Sequence, residues 1–403
     1  MILKAAWLIP VTSPPIRDGY IAIDGGRISG MGSAAELSAS AKGIEDLGDV
    51  VLTPGLVNPH THLELTCYAG QLPPAPFWKW IGGLIPLRAA PGQVERERQA
   101  VIDGAWQSLR AGVTCVGDIS RRNVAWPALK SLPIRKVCFV ELLSLADHPP
   151  RDPRELREEV SRIEEDELLT AGITPHAPYT VAMDQVRAAI GLAGELERPW
   201  TMHLAETREE VAFLRGEPGA LGRMFERLLD RCGVTAPCRL PGAYLDTCCP
   251  DGRSGSLAHM NYVEDHEFAR LAKNGHVVIY CPRSHRFFGH SPHPFARMRA
   301  AGVRVAVGTD SVASNESLSL LDELRFVHAE LPDAPPPGEL LRMATLDGAR
   351  ALGLQDAIGS LEIGKQADLA AFPCAGDVTD PVGALIEQPV PAAGVWVAGR
   401  LAV

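Results

Sequence analysis

Thr53-Pro54-Gly55-Leu56-Val57-Asn58-Pro59-His60-Thr61-His62-Leu63-Glu64 is the stretch on which the fold turns. A short apolar run, opened by Pro54-Gly55, ends in two histidines separated by one residue. Residues two apart on a strand point to the same side, so His60 and His62 can aim two imidazoles at one point. That is metal-ligand geometry. Taken alone, the pair is equally compatible with one histidine capping a loop and the other sitting in a polar core.

The same texture recurs downstream. Candidate buried strands centre near Asn58, Val116, Phe139, Thr174, Met202, Ala258, Val278 and Val307, and amphipathic helical stretches separate them. Thr207 and Glu210 open one such helix with capping-box spacing. Alternating strands and helices build parallel βα units, and eight of them close a barrel. The expected fold is therefore α/β, a distorted (β/α)8 TIM-like barrel over residues 54–356. Residues 233–255, rich in Pro, Gly and Cys, read as an inserted loop before the sixth strand.

Both ends of the chain read as short strands and turns, with Asp24-Gly25-Gly26 supplying the positive-φ residues of a hairpin. Residues 1–53 and 357–403 are accordingly expected to form one small β-sandwich domain. The 403 residues carry 39 Lys+Arg against 49 Asp+Glu, a net charge of −10. Without a basic run, that balance argues against nucleic acid or an anionic membrane as partner. No stretch approaches the roughly 18 apolar residues of a membrane span, and Lys4, Pro10 and Pro14-Pro15 break a signal-peptide core. A cytoplasmic protein with reduced cysteines is expected, its nine Cys being an odd number without a CxxC pair.

Three more apolar runs end abruptly in a polar residue: Thr201-Met202-His203-Leu204-Ala205-Glu206, Leu257-Ala258-His259 and Ala306-Val307-Gly308-Thr309-Asp310. The C-terminal strand ends are where such a barrel keeps its active site. One polar strand end is ordinarily a structural hydrogen-bonder. Five such groups, His60, His62, His203, His259 and Asp310, would cost several kcal/mol each if buried unpaired, and a shared metal satisfies them. Neutral imidazoles with one carboxylate suit Zn²⁺, and Fe²⁺ or Mn²⁺ can occupy the same ligands. An open position on such an ion lowers the pKa of water toward about 7. Glu206, three residues beyond His203, stands near enough to shuttle a proton; otherwise it is a glutamate opening the next helix.

These residues, in this order, resemble the amidohydrolase superfamily, and His203-Leu204-Ala205-Glu206 with Gly308-Thr309-Asp310-Ser311 resembles its aminohydrolase branch of deaminases and chlorohydrolases. The resemblance runs nearly end to end. It implies that His60, His62, His203 and Asp310 ligate one divalent metal, that His259 orients the hydrolytic water together with Asp310, and that Glu206 is the proton shuttle. Binuclear relatives carry a lysine at the end of the fourth strand; here Ile173-Thr174-Pro175-His176 has none, so one ion is implied. Glutamate at 206 favours a deaminase over a chlorohydrolase, because departing ammonia needs more proton delivery than departing chloride.

Cys281-Pro282-Arg283-Ser284-His285-Arg286-Phe287-Phe288 departs from the branch's common Cys-Pro-x-Ser-Asn pattern. With Pro59 to Leu65 and Phe77-Trp78-Lys79-Trp80, it resembles the 6-aminodeoxyfutalosine deaminases of the futalosine route to menaquinone. Such a nucleoside implies a diol acceptor, a flat apolar wall and a cation for a carboxylate. Glu64 or Glu141 can take the ribose hydroxyls and His176 the sugar or tail. Phe77, Trp78, Trp80, Phe287 and Phe288 can wall the tail, and Arg283 or Arg286, beside Ser284, can pair with the carboxylate. His285 and His290 can buttress the loop instead. The bland alternatives are structural ion pairs for the carboxylates, packing for the aromatics and a solvated loop for the arginines. Deamination of adenosine, S-adenosylhomocysteine or guanine, triazine hydrolysis, and a non-catalytic scaffold are the competing functions. A homo-oligomer is left open.

Overall fold

Strands buried on both faces read as continuous apolar runs, and parallel strands are the usual bearers of that pattern. The computed structural model describes residues 1–38, 42–143, 150, 152–221, 223, 233–375 and 377–403. Five strands precede the barrel: β1 (Ile2–Leu8), β2 (Ile16–Asp24), β3 (Arg27–Ser33), β4 (Ile44–Asp46) and β5 (Val50–Pro54). The barrel strands are β6 (Leu56–Thr61), β7 (Val113–Ser120), β8 (Arg135–Leu142), β9 (Leu169–Pro175), β10 (Thr201–Leu204), β11 (Ser256–His259), β12 (Val277–Tyr280) and β13 (Arg304–Val307). Then follow β14 (Leu369–Pro373), β15 (Gly394–Val397) and β16 (Arg400–Leu401).

The barrel strands form two parallel four-stranded sheets, β6-β7-β8-β9 and β10-β11-β12-β13. Single bridges join them at both seams, Ile173 to Trp200 and Thr61 to Asp310. At the second seam the Asp310 N–H donates to the His60 carbonyl at 3.1 Å. Asn58 reinforces it: its Nδ2 donates to Thr309 Oγ1 at 2.8 Å, and the Thr309 N–H donates to Asn58 Oδ1 at 3.2 Å. Gly308 permits the approach, since a Cβ there would meet Ile279 Cγ2 at 2.9 Å and His60 Cβ at 3.2 Å. The first and last barrel strands, about 250 residues apart in sequence, thus lie side by side with their polar ends level.

The terminal strands form one sheet in the order β16-β15-β14-β5-β1-β2-β3, with β4 on β1. Ile28 of β3 and Trp396 of β15 share a buried cluster with Leu3, Ile21, Leu52 and Leu369. The sheet therefore encloses its own core, as a sandwich does. The β2–β3 hairpin turns through Gly25 and Gly26 at φ 54° and 79°. Arg135 on β8 grips Asp368 through Nε at 2.8 Å and Nη2 at 3.1 Å, tying this sheet to the barrel.

Residues 233–255 are not wholly the loop expected. Pro241–Cys248 is a helix with Pro241 in its first turn, and Pro241, Tyr244, Leu245 and Cys248 are buried. That is a helical stripe, and its core contacts outweigh the turn-forming composition around it.

Candidate active site

His60 is the penultimate residue of β6, and His62 follows the strand directly. His203 lies on β10, His259 ends β11, and Asp310 lies three residues beyond β13. Three site-bearing turns bend through left-handed backbone at non-glycine residues: Ala205 at φ 53°, His259 at 74° and Asp310 at 58°. Such conformations cost free energy and persist where the surroundings enforce them, commonly at functional sites.

The tautomers follow from the hydrogen bonds. His62 Nδ1 lies 3.1 Å from the Ile119 carbonyl and His203 Nδ1 3.1 Å from the His176 carbonyl, so each Nδ1 carries the proton. Each Nε2 is then a lone-pair acceptor, and the two face each other at 3.3 Å. Two acceptors cannot bond one another; a cation can take both. His60 is fully buried and neither ring nitrogen has a hydrogen-bond partner. Ligand atoms of His60, His62 and His203 all lie within 4.8 Å of one another. A tetrahedral set at roughly 2.0–2.1 Å from its centre has edges of about 3.3–3.4 Å, matching the His62–His203 separation. Asp310 Oδ1 stands 3.8 Å from His62 Nε2 and 4.0 Å from His60 Nε2. Its other oxygen accepts from Ser284 Oγ at 2.7 Å and Ser314 Oγ at 3.3 Å.

Burial, followed by repulsion from neighbouring imidazoles, holds His60 and His203 far below the ordinary histidine pKa. Neutral imidazole is the ligand form, so the donor set fits a divalent ion. Glu206 Oε1 lies 3.7 Å from His259 Nε2. Burial, and then the charges of Asp310 and Glu210, push the Glu206 carboxyl well above its usual range, while burial pushes His259 down. Burial thus disfavours the charged form of both. An acid with a raised pKa beside a cation site is equipped to move protons.

His62, His203, Glu206, His259 and Asp310 floor a cavity of about 340 Å³. The helix Phe77–Ala89 walls it with Phe77, Trp80, Ile81, Leu84 and Ile85, all on one face at helical spacing, and Phe288 faces them. Glu64, Glu141 and His176 line the cavity as well. His176 Nδ1 is 2.8 Å from Thr180 Oγ1, and its Nε2 is 4.0 Å from Glu141 Oε1.

The other expected substrate contacts are not brought here. Trp78 lies on another face of its helix, with Lys79 Nζ 5.3 Å from its ring. Arg283 is turned into an acidic loop, donating to Glu316 Oε2 at 2.6 Å and Ser317 Oγ at 2.9 Å. Arg286 covers the ring of Phe326 at 4.4 Å. Ser284 serves Asp310, and His285 packs on Tyr280 and His290.

Two cavity arginines escaped the sequence reading. Arg88 sits between Glu64, at 2.5 Å, and Glu97, at 2.9 Å. Burial pushes the Glu64 carboxyl up against the pull of that guanidinium. Arg121, half-buried, follows Ser120 at the end of β7 and gives its backbone N–H to Glu64 Oε1 at 3.0 Å. Its place at a strand end, the criterion that singled out His203 and Asp310, was the available signal.

The signature of the Amidohydrolase family spans residues 51–402. A 5-methylthioadenosine/S-adenosylhomocysteine deaminase of Desulforudis audaxviator (strain MP104C) is 30% identical over 92% of this chain and 84% of its own. Among solved structures, aminofutalosine deaminase of Helicobacter pylori, in complex with methylthio-coformycin, superimposes with a TM-score of 0.88 at 25% identity, covering 100% of both chains. A zinc-bound adenosine deaminase from Xanthomonas campestris gives 0.84 at 26% identity, over 99% of this chain and 92% of its own. A signature running through barrel and C-terminal strands, on a chain whose strand ends converge in this way, makes the protein a member of the amidohydrolase family.

Proposed function

We propose that the protein is a metal-dependent hydrolytic deaminase of an adenine-type nucleoside, with 6-aminodeoxyfutalosine as substrate and futalosine plus ammonia as products. The single observation carrying the reaction type is the opposed pair of acceptor nitrogens, His62 Nε2 and His203 Nε2, beside an acid of raised pKa, Glu206. His60, His62, His203 and Asp310 would hold one divalent ion, with Zn²⁺ best matched to three imidazoles and a carboxylate. When bound, the ion supplies Lewis acidity that makes water a competent nucleophile near neutral pH.

The remaining work falls to side chains. His259 and Asp310 orient the attacking water toward C6 of the purine. Glu206 delivers a proton to the adjacent ring nitrogen, so that charge does not build on the ring as C6 becomes tetrahedral. Recharged by the first proton lost from water, Glu206 then protonates the amine; the C6–N bond breaks, ammonia leaves, and the remaining hydroxyl proton passes to Glu206 as the C6 carbonyl forms. Burial of Glu206 in the floor favours the protonated form that donates.

Beyond the purine, Glu64 and Glu141, which line the cavity, would accept ribose hydroxyls, and the Phe77–Leu84 face with Phe288 would be the flat apolar wall. Arg121 takes over from Arg283 and Arg286 as the cation for a tail carboxylate. Residues 54–356 are the catalytic barrel in this reading, and 1–53 with 357–403 the supporting β domain. The thioadenosine-type relative favours a second substrate set, 5′-methylthioadenosine and S-adenosylhomocysteine. Ammonia release from a panel of these two, adenosine, guanine and 6-aminodeoxyfutalosine tests both. The highest kcat/KM is expected for 6-aminodeoxyfutalosine. A preference for methylthioadenosine would replace the substrate, and no ammonia from any of them would reject the deaminase.

A further inference from the structure

We propose that Glu210, a buried carboxylate outside the cavity, is a positioning residue that fixes the turn presenting Glu206, an inference resting on the proton-transfer role of Glu206 above. β10 leaves its hydrogen-bond ladder at Leu204, and the chain must bend sharply for residue 206 to enter the cavity. Ala205 makes that bend at φ 53°, a conformation L-residues rarely adopt. The N–H groups of Ala205 and Glu206 are thereby left buried and without strand partners. Both donate to one side chain: Ala205 N–H to Glu210 Oε1 at 2.8 Å and Glu206 N–H to Glu210 Oε2 at 2.9 Å.

Glu210 reaches back from the first turn of the helix Arg208–Leu214, and its own N–H donates to the cap, Thr207 Oγ1, at 3.0 Å. The expected capping box is therefore modified, with the glutamate carboxylate spent on the turn upstream of the cap. The carbonyls of the same turn are held from the other side. Tyr262 N–H donates to the Ala205 carbonyl at 3.1 Å, and Asn261 Nδ2 to the Glu206 carbonyl at 2.9 Å. All four backbone polar groups of residues 205–206 are thus held, leaving Glu206 only its side-chain torsions with which to meet His259 and substrate. A glutamine at 210 retains one acceptor oxygen and turns an NH₂ toward the second N–H, so the device needs both carboxylate oxygens.

The test uses the full-length, metal-loaded protein carrying Glu210→Gln, with adenosine and 6-aminodeoxyfutalosine as probes. For a misplaced catalytic group, kcat is expected to fall about 10–100-fold while KM moves less than about 3-fold. Metal content should be retained, and amide hydrogen exchange should quicken in the peptide covering 204–207. Ala205→Gly removes the Cβ penalty of the left-handed turn and should restore kcat about 5-fold in the Glu210→Gln background. Unchanged exchange at 204–207, a kcat within about 3-fold of the parent, or no recovery with Ala205→Gly would each overturn the proposal. Should the parent protein release no ammonia, it is the deaminase reading that fails. The exchange measurement would still decide whether Glu210 holds the turn.

Discussion

Replacing Arg121 by methionine keeps most of a half-buried aliphatic stem and removes the charge that the tail carboxylate is proposed to meet. A buried hydrogen bond to a charged group contributes about 1.5–3 kcal/mol. Arg121 is partly exposed, and solvent screening lowers the figure to about 1–2 kcal/mol, or about 5–30-fold in kcat/KM. A contact with the tail, remote from the reacting C6, would be made equally in ground and transition states, so the loss should appear as a higher KM with kcat nearly unchanged. The assay is steady-state ammonia release from two carboxylated nucleosides, 6-aminodeoxyfutalosine and S-adenosylhomocysteine, and two without a carboxylate, adenosine and methylthioadenosine. Loss confined to the carboxylated pair is expected, and equal losses on all four would refute the reasoning. Arg88 lines the same cavity. It is committed to Glu64 and Glu97, so Arg88→Met strands two buried carboxylates and should cost about 3–5 kcal/mol of folding stability in a denaturant titration.

Glu206→Gln should keep the metal and lose about 10²–10⁴-fold in kcat, and turnover within tenfold of the parent would remove Glu206 from proton transfer. Asp310→Asn should weaken metal retention by about 10–100-fold, read by elemental analysis after dialysis against a chelator, and unchanged retention would contradict its ligand role. Nine of the eleven described histidines have pKa values lowered, burial being the first cause. Below pH 6.5 the unfolded chain binds protons that the native state refuses. The histidine contribution is fully present above 6.5 and falls as pH drops, by about 1.4 kcal/mol per pH unit for each group titrating. Burial pushes the carboxyls of Glu64, Asp118, Glu206, Glu210 and Glu323 up, and these offset the histidines toward neutral pH. Urea titrations should therefore show stability falling from pH 6 to 5, below the carboxyl window; a flat or rising profile there would dismiss the reasoning.

The barrel was legible because its strands are buried on both faces and so carry no competing polar pattern: each of the eight expected centres, Asn58 to Val307, falls within a strand. The histidines were legible for a related reason, since a polar residue closing an apolar run contradicts burial unless something pairs with it. The helix Pro241–Cys248 was hidden because its Pro, Gly and Cys composition imitates a loop, and only contact with the core reveals which of those residues face inward.

What sequence by itself determined is periodicity and the places where periodicity breaks, properties of neighbours along one strand or helix. Which of the cations meets the cavity is a different kind of fact. Arg283 follows a strand that ends at the site, yet Glu316 and Ser317, more than thirty residues away, draw its guanidinium off; Arg121 and Arg88 arrive from elements with no histidine to mark them. The partners of Glu210 and the seam between Asn58 and Thr309 likewise exist only after closure of the barrel. Long charged side chains reach several ångströms in many directions, and their choice among partners is made by the assembled electrostatic surroundings, which local sequence does not encode.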